Sequence, residues 1–115
     1  MADLKWRPQA LKDLEAIEAY YEDVAPEYAA IFVGSVFEKA EQLKEMPRLG
    51  RKVPEIGDQA IRELIHRGYR IMYVVDTDVE AVEVLTILHS SRHFGGRMLA
   101  MMNEPDNKSL RLKKK

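Results

Sequence analysis

The stretch from Ile61 to Phe94, IRELIHRGYRIMYVVDTDVEAVEVLTILHSSRHF, leaves the chain little choice of fold. Val, Ile, Leu and Tyr fill Tyr69–Val75 and Val82–Leu88, the β-branched and aromatic mix that suits a pleated, half-buried surface. Arg67-Gly68 interrupts the pattern before the second run, and Asp76-Thr77-Asp78 before the third. Gly takes the positive φ of a tight hairpin without steric cost, and Asp tolerates it while bonding to its own backbone. Connections this short permit only antiparallel pairing, because a parallel pair needs a crossover of about a dozen residues or more. These residues therefore predict a three-stranded meander. Within it Tyr69, Ile71, Tyr73 and Val75 share one face, and Arg70, Met72, Val74 and Asp76 the other. Strict alternation in the last strand sets Val82, Val84 and Leu88 against Leu85 and Ile87. A strand apolar on both sides is expected to be central and covered. One face meets helices, and the other is left for the C-terminal tail or another molecule.

Upstream, Leu4-Lys5-Trp6-Arg7 alternates well enough for a short strand, and Pro8 then suits the first turn of a helix. Leu11, Leu14, Ile17, Tyr21 and Val24 fall at helical spacing and draw one apolar stripe. Ala25-Pro26 breaks the run, since the residue before a proline is pushed out of helical geometry. A second helix follows with Ala29, Ala30, Val33, Val36, Phe37, Ala40, Leu43 and Met46 on one side. So short a joint makes the pair an antiparallel hairpin. Pro47-Arg48-Leu49-Gly50-Arg51 stops the second helix, and a loop through Pro54-Glu55-Ile56-Gly57-Asp58 leads to the meander.

At 115 residues the chain is one domain by length, able to bury a core unaided. It contains no cysteine, so disulfides and thiolate chemistry are excluded. No apolar run approaches the roughly 20 residues of a membrane span, and MADLKWRPQ is too polar for a secretory signal, so a cytoplasmic protein is expected. The formal charge of −1 conceals a segregation. Between Leu11 and Met46 acids far outnumber Lys12, Lys39 and Lys44, whereas Arg97, Lys108, Arg111 and Lys113 to Lys115 dominate the end. Such asymmetry points to different partners for the two regions. His66, His89 and His93 lack nearby carboxylate or thiolate spacing, so no metal is expected, nor any other cofactor.

Several segments, taken in order, carry a family resemblance: Pro8-Gln9-Ala10-Leu11 with Asp13-Leu14 and Ile17; Pro47-Arg48-Leu49-Gly50-Arg51 before Pro54-Glu55; Arg62-Glu63-Leu64; Tyr69-Arg70-Ile71-Met72-Tyr73; and Val84-Leu85-Thr86-Ile87-Leu88-His89 with Arg92. Together they resemble the RelE/ParE superfamily of bacterial toxins, on the ParE-like, plasmid-stabilisation side. The resemblance implies an α+β fold in which an antiparallel helical hairpin packs on an antiparallel sheet of about four strands. It implies a toxin domain over residues 1–94 and a C-terminal extension over 95–115, helical in part at Arg97–Met102 and then a basic tail. It further implies the toxin of a type II toxin–antitoxin pair, neutralised by a ParD-like or RelB-like antitoxin in a hetero-oligomer. ParE-like members poison DNA gyrase; RelE-like members cut messenger RNA on the ribosome. The near-neutral charge agrees better with a protein-directed toxin than with a nucleic-acid binder, for which a strongly basic face is expected.

Under the gyrase reading no catalytic residue is expected. The target surface falls on Arg48, Arg51, Lys52, Arg62, Arg70, Arg92 and Arg97, and the antitoxin surface on Leu14, Ile17, Tyr21, Val33 and Phe37. The alternative ribonuclease would need a base for the 2′-hydroxyl, a cation for the phosphate and an acid for the leaving oxygen. Glu63, Arg70, His89, Arg92 and His93 are its candidates, although Phe94 stands where several nucleases keep a tyrosine. The plainer account pairs Arg62, Arg70 and Arg92 with carboxylates and hydrogen-bonds His89 to backbone. A non-toxic relative that only binds an antitoxin is the third possibility.

Overall fold

The computed structural model describes residues 1–91; Arg92, His93, Phe94, Arg97 and the extension over 95–115 lie outside the described residues. The chain runs β1 (Asp3–Trp6), α1 (Pro8–Val24), α2 (Pro26–Glu41), a 3₁₀ turn (Gln42–Lys44), β2 (Arg51–Lys52), β3 (Ile61–His66), β4 (Tyr69–Asp76) and β5 (Ala81–His89). The sheet has five strands in the order β1-β5-β4-β3-β2.

The hairpin of helices has a one-residue joint. Ala25, at φ −156°, closes α1 by donating its N–H to Tyr21 O, and Pro26 opens α2. The buried stripe of α2 is Ala29, Phe32, Val36 and Ala40, continued by Leu43. Ala30, Phe37 and Met46 lie outside it, and Val33 is half-buried. Steps of three and four admit two adjacent rows on a helix, and contact with the sheet, where Phe32 meets Tyr69, selects the inner one. The Phe32 ring stands 5.3 Å from Tyr21 and 5.1 Å from Tyr69. On α1, Ala10 and Leu14 are buried, whereas Leu11 and Val24 at the ends of the expected stripe are exposed.

The meander forms as its residues predict. Arg67 (φ 49°) and Gly68 (φ 86°) are both left-handed, the pair of conformations a two-residue hairpin of this twist requires. Two features depart from expectation. The sheet is mixed, because β1 runs parallel to β5 with Leu4 beside Val82 and Trp6 beside Val84. The short-connection rule binds only neighbours in sequence, and these two strands are separated by most of the domain. A two-residue strand, β2, also pairs antiparallel with β3 at the other edge, where a loop was expected.

The β4–β5 ladder carries a bulge: Met72 faces Thr86 and Tyr73 faces Val84, leaving Leu85 as the extra residue. The bulge reverses the alternation beyond it. Val82, Val84 and Ile87 join the core under the helices, and Leu85 and Leu88 join a second core on the outer face. Leu88 and Ile87 thus exchange the faces that strict alternation assigns them. Asp13 of α1 caps the irregularity, accepting from Ile87 N–H at 3.1 Å and from the Thr86 hydroxyl, while Gln9 holds its other oxygen at 2.8 Å. The outer core is Val53, Ile61, Met72, Val74, Leu85 and Leu88, with Ile56 and Ala60 packed against it. The chain's own loop covers this part of the face. Among the described residues no helix is long and apolar enough to cross a membrane.

Candidate functional site

Alternation in β3 and β4 sends Glu63 and Arg70 to the outer face, and there the chain builds a buried ionic cluster. Arg70 Nε donates to Glu63 Oε1 at 2.6 Å. Its two terminal nitrogens donate to both oxygens of Glu55 at 2.8 Å, the fork-to-fork geometry that planar guanidinium and carboxylate allow. Arg51, from β2, donates through Nε to the remaining Glu63 oxygen at 2.8 Å. The Glu63 and Arg70 side chains are almost fully buried, whereas Arg51 is 61% exposed. Pairing with Glu55, reinforced by Glu63, raises the Arg70 pKa further despite the opposing effect of burial, so the guanidinium is a permanent cation.

The edge bearing Arg48, Arg51 and Lys52 is fastened to the sheet through Gly50. The Gly50 N–H donates to the Tyr73 hydroxyl at 2.8 Å, and its carbonyl accepts from Arg62 at 2.9 Å. A Cβ at position 50 would stand 2.5 Å from the Glu63 carbonyl oxygen, so only glycine permits this approach. Burial pushes the Tyr73 phenol up, partly countered by the Gly50 N–H, and keeps it protonated at neutral pH.

The candidate side chains thus separate by role. Arg48, Arg51 and Lys52 are exposed beside and on the edge strand. Arg62 is half-buried and Arg70 buried, and both hold loops in place. Of the nuclease candidates, Glu63 and Arg70 are together, but each Glu63 oxygen already accepts from an arginine. His89 belongs to the helix side, where its ring meets Tyr69 edge-on at 5.4 Å and its Nδ1 lies 2.7 Å from Ser91 Oγ. It lines a separate cleft of about 570 Å³ with Asp13, Tyr20, Tyr21 and Tyr69. Tyr69 is pushed up by burial and by its hydrogen bond with Tyr21. The structure therefore does not bring the imidazole of His89 to the Glu63–Arg70 pair. Among the described residues no three His, Asp or Glu side chains gather as a metal site.

Of the residues assigned to antitoxin binding, Leu14 is core in the isolated chain; Ile17, Tyr21 and Val33 are half-buried against it, and Phe37 is partly exposed with its ring 4.8 Å from Trp6. The more exposed apolar side chains of the hairpin are Leu11, Tyr20, Val24 and Ile31. Glu55 and Tyr73 are polar side chains on which the site rests that sequence reasoning did not single out; nor did it single out Asp13, at the bulge and the separate cleft. Only the Pro54-Glu55 motif hinted at Glu55, and nothing local pairs it with Arg70 on β4.

Comparison with known proteins agrees with this architecture. The family model for the ParE toxin of type II toxin–antitoxin systems matches residues 4–94. No curated protein matches the chain significantly. Among solved structures, the chromosomal ParDE system from P. aeruginosa is 25% identical with a TM-score of 0.65, covering 77% of this chain and 96% of that one. A free, double-mutant form of the E. coli toxin RelE is 18% identical with a TM-score of 0.64, covering 90% and 100%. The intact E. coli RelBE toxin–antitoxin complex is 20% identical with a TM-score of 0.59, covering 80% and 100%. With its helical hairpin, its sheet and a family match over nearly every described residue, the chain belongs to the ParE toxin family of type II toxin–antitoxin systems.

Proposed function

We propose that the chain acts in the cytoplasm as a toxin that inhibits DNA gyrase by binding it, and that a ParD-like antitoxin encoded alongside neutralises it. The observation that carries this reading is the state of Glu63 and Arg70. A general base must be able to reach a substrate proton, and Glu63 is buried with both oxygens engaged by arginines. What faces solvent beside the cluster is Arg48, Arg51 and Lys52, a basic edge suited to gripping a macromolecule. The antitoxin contact is assigned to the acidic helical hairpin, where Leu11, Tyr20, Val24 and Ile31 expose apolar surface among carboxylates. The kinship with ParDE supports a paired antitoxin. The test is expression without antitoxin. Cleaved plasmid DNA bound to gyrase, with a DNA-damage response, is expected; codon-positioned mRNA breaks with intact supercoiling would replace this reading with a ribosome-dependent ribonuclease. Absence of toxicity would leave a relative that only binds an antitoxin.

A further inference from the structure

The two carboxylates on Arg70 are carried differently. Glu63 belongs to β3, whereas Glu55 rides on a loop whose backbone closes on itself: Ile56 and Gly57 donate their N–H groups to Val53 O at 3.1 and 3.0 Å. Side chains seat this loop on the sheet. Val53 and Ile56 pack on the outer core of Ile61, Met72, Val74, Leu85 and Leu88, and between them Glu55 grips the Arg70 fork. Gly57, at φ +75°, supplies a left-handed pivot at the far end. Arg70's cross-strand neighbours are Ile65 and Leu88, and Ile65 is 49% exposed, so the apolar floor continues beyond the loop. Val53-Pro54-Glu55-Ile56 thus has the form of a peptide in a groove, with one acid on a buried arginine between two apolar anchors.

We propose that this groove is a binding site for a turn-forming segment of a partner protein, bearing an acidic residue flanked by apolar ones. Val53–Gly57 is its internal stand-in, exchanged for the partner's segment on binding. The exchange swaps one carboxylate for another on Arg70, so the buried guanidinium is never left unpaired. An arginine set in a dry, apolar surround is a common anchor of protein interfaces. A nucleic-acid backbone fits poorly: with Glu55 displaced, Arg51 and Arg70 against Glu63 leave a single net positive charge over an apolar floor. The proposal does not depend on gyrase being the target.

A fluorescent peptide copying residues 51–58 tests it, with binding read by anisotropy. The variant Glu55→Ala/Ile56→Ala, whose own stand-in is disabled, is expected to bind at least tenfold more tightly than the unaltered protein. A peptide carrying Gln for its Glu should lose that gain. Equal binding to both proteins, or none, overturns the proposal, as does displacement of the peptide by a short single-stranded oligonucleotide. Should the variant not fold, hydrogen exchange of the unaltered protein decides. The Val53 amide, which bonds to Ile61 O at 3.4 Å, is expected to exchange at least a hundredfold faster than that of Ile71. Equal rates would mean that the loop opens only when the domain unfolds, and the exchange could not occur.

Discussion

Replacing Glu63 by alanine is expected to be among the most damaging single changes in the domain. The lost carboxylate accepts from Arg70 at 2.6 Å and from Arg51 at 2.8 Å. Removing one partner of a buried ion pair costs about 3–5 kcal/mol, because the other charge stays behind in a poor solvent. Arg51 is 61% exposed, so water takes over its arm and that contact adds only about 0–1 kcal/mol. Arg70 keeps the two-pronged grip of Glu55, which places the expected loss near the lower bound, about 3 kcal/mol. For a domain of this size that corresponds to a fall in Tm of roughly 10–20 °C. Urea unfolding followed by far-ultraviolet circular dichroism measures it. The companion change Glu63→Leu with Arg70→Met removes both buried charges and leaves Glu55 to turn toward water, so it should restore stability to within about 1 kcal/mol of the parent. A loss below about 1 kcal/mol for the alanine variant, or a double variant no better than the single one, would refute the assignment of Glu63 as a structural anion.

Further outcomes follow from the same geometry. Gly50→Ala drives a Cβ against the Glu63 carbonyl and should cost about 1–3 kcal/mol in urea unfolding. Asp13→Ala leaves the Ile87 N–H of the bulge without its acceptor and should cost about 1.5–3 kcal/mol, read in the same assay. His66 is pushed down by burial, then by Arg67 and Lys39. The unfolded chain therefore binds the proton more readily than the folded one, and stability falls as pH drops below the ordinary histidine value near 6.5. The Ser35 hydroxyl donates to Phe32 O, which makes the neutral His66 Nε2–H the donor to Ser35. His66→Gln should accordingly lose less stability between pH 7.5 and pH 5 than the parent, and identical profiles would contradict this account. Arg48→Glu with Lys52→Glu reverses two exposed charges and should abolish gyrase trapping while leaving the urea midpoint almost unchanged.

The elements set by neighbours in sequence were legible in the chain. Ala25-Pro26 marks the hairpin joint, Arg67-Gly68 marks a turn whose two residues both take positive φ, and the faces of β4 follow from simple alternation. What depends on distant partners was not. Nothing in Leu4-Lys5-Trp6 announces a parallel neighbour, and Arg51-Lys52 is too short to show a strand period. The candidate site divides in the same way. Glu63 and Arg70 attract notice as an acid and a cation on adjacent strands, but their buried pairing makes them structural, and the acid that completes the cluster comes from a loop without periodicity. Phe32 escaped the helical stripe because spacing alone fits two adjacent rows, and only the sheet beneath decides between them.

The extra residue at Leu85 has a meaning for heredity as well as for packing. It lets even-numbered residues, Val82 and Val84, supply the helix-side core at the start of the strand and an odd-numbered one, Ile87, supply it beyond the bulge. Deleting that single residue would restore plain alternation after Val84 and leave Ile87 under the helices, Leu88 in the outer core and His89 beside Tyr69. Two relatives of this chain that differ only by such a gap would therefore keep the same side chains on the same faces of their last strand. Matching them column by column without setting the gap at the bulge would equate side chains that never occupy the same place.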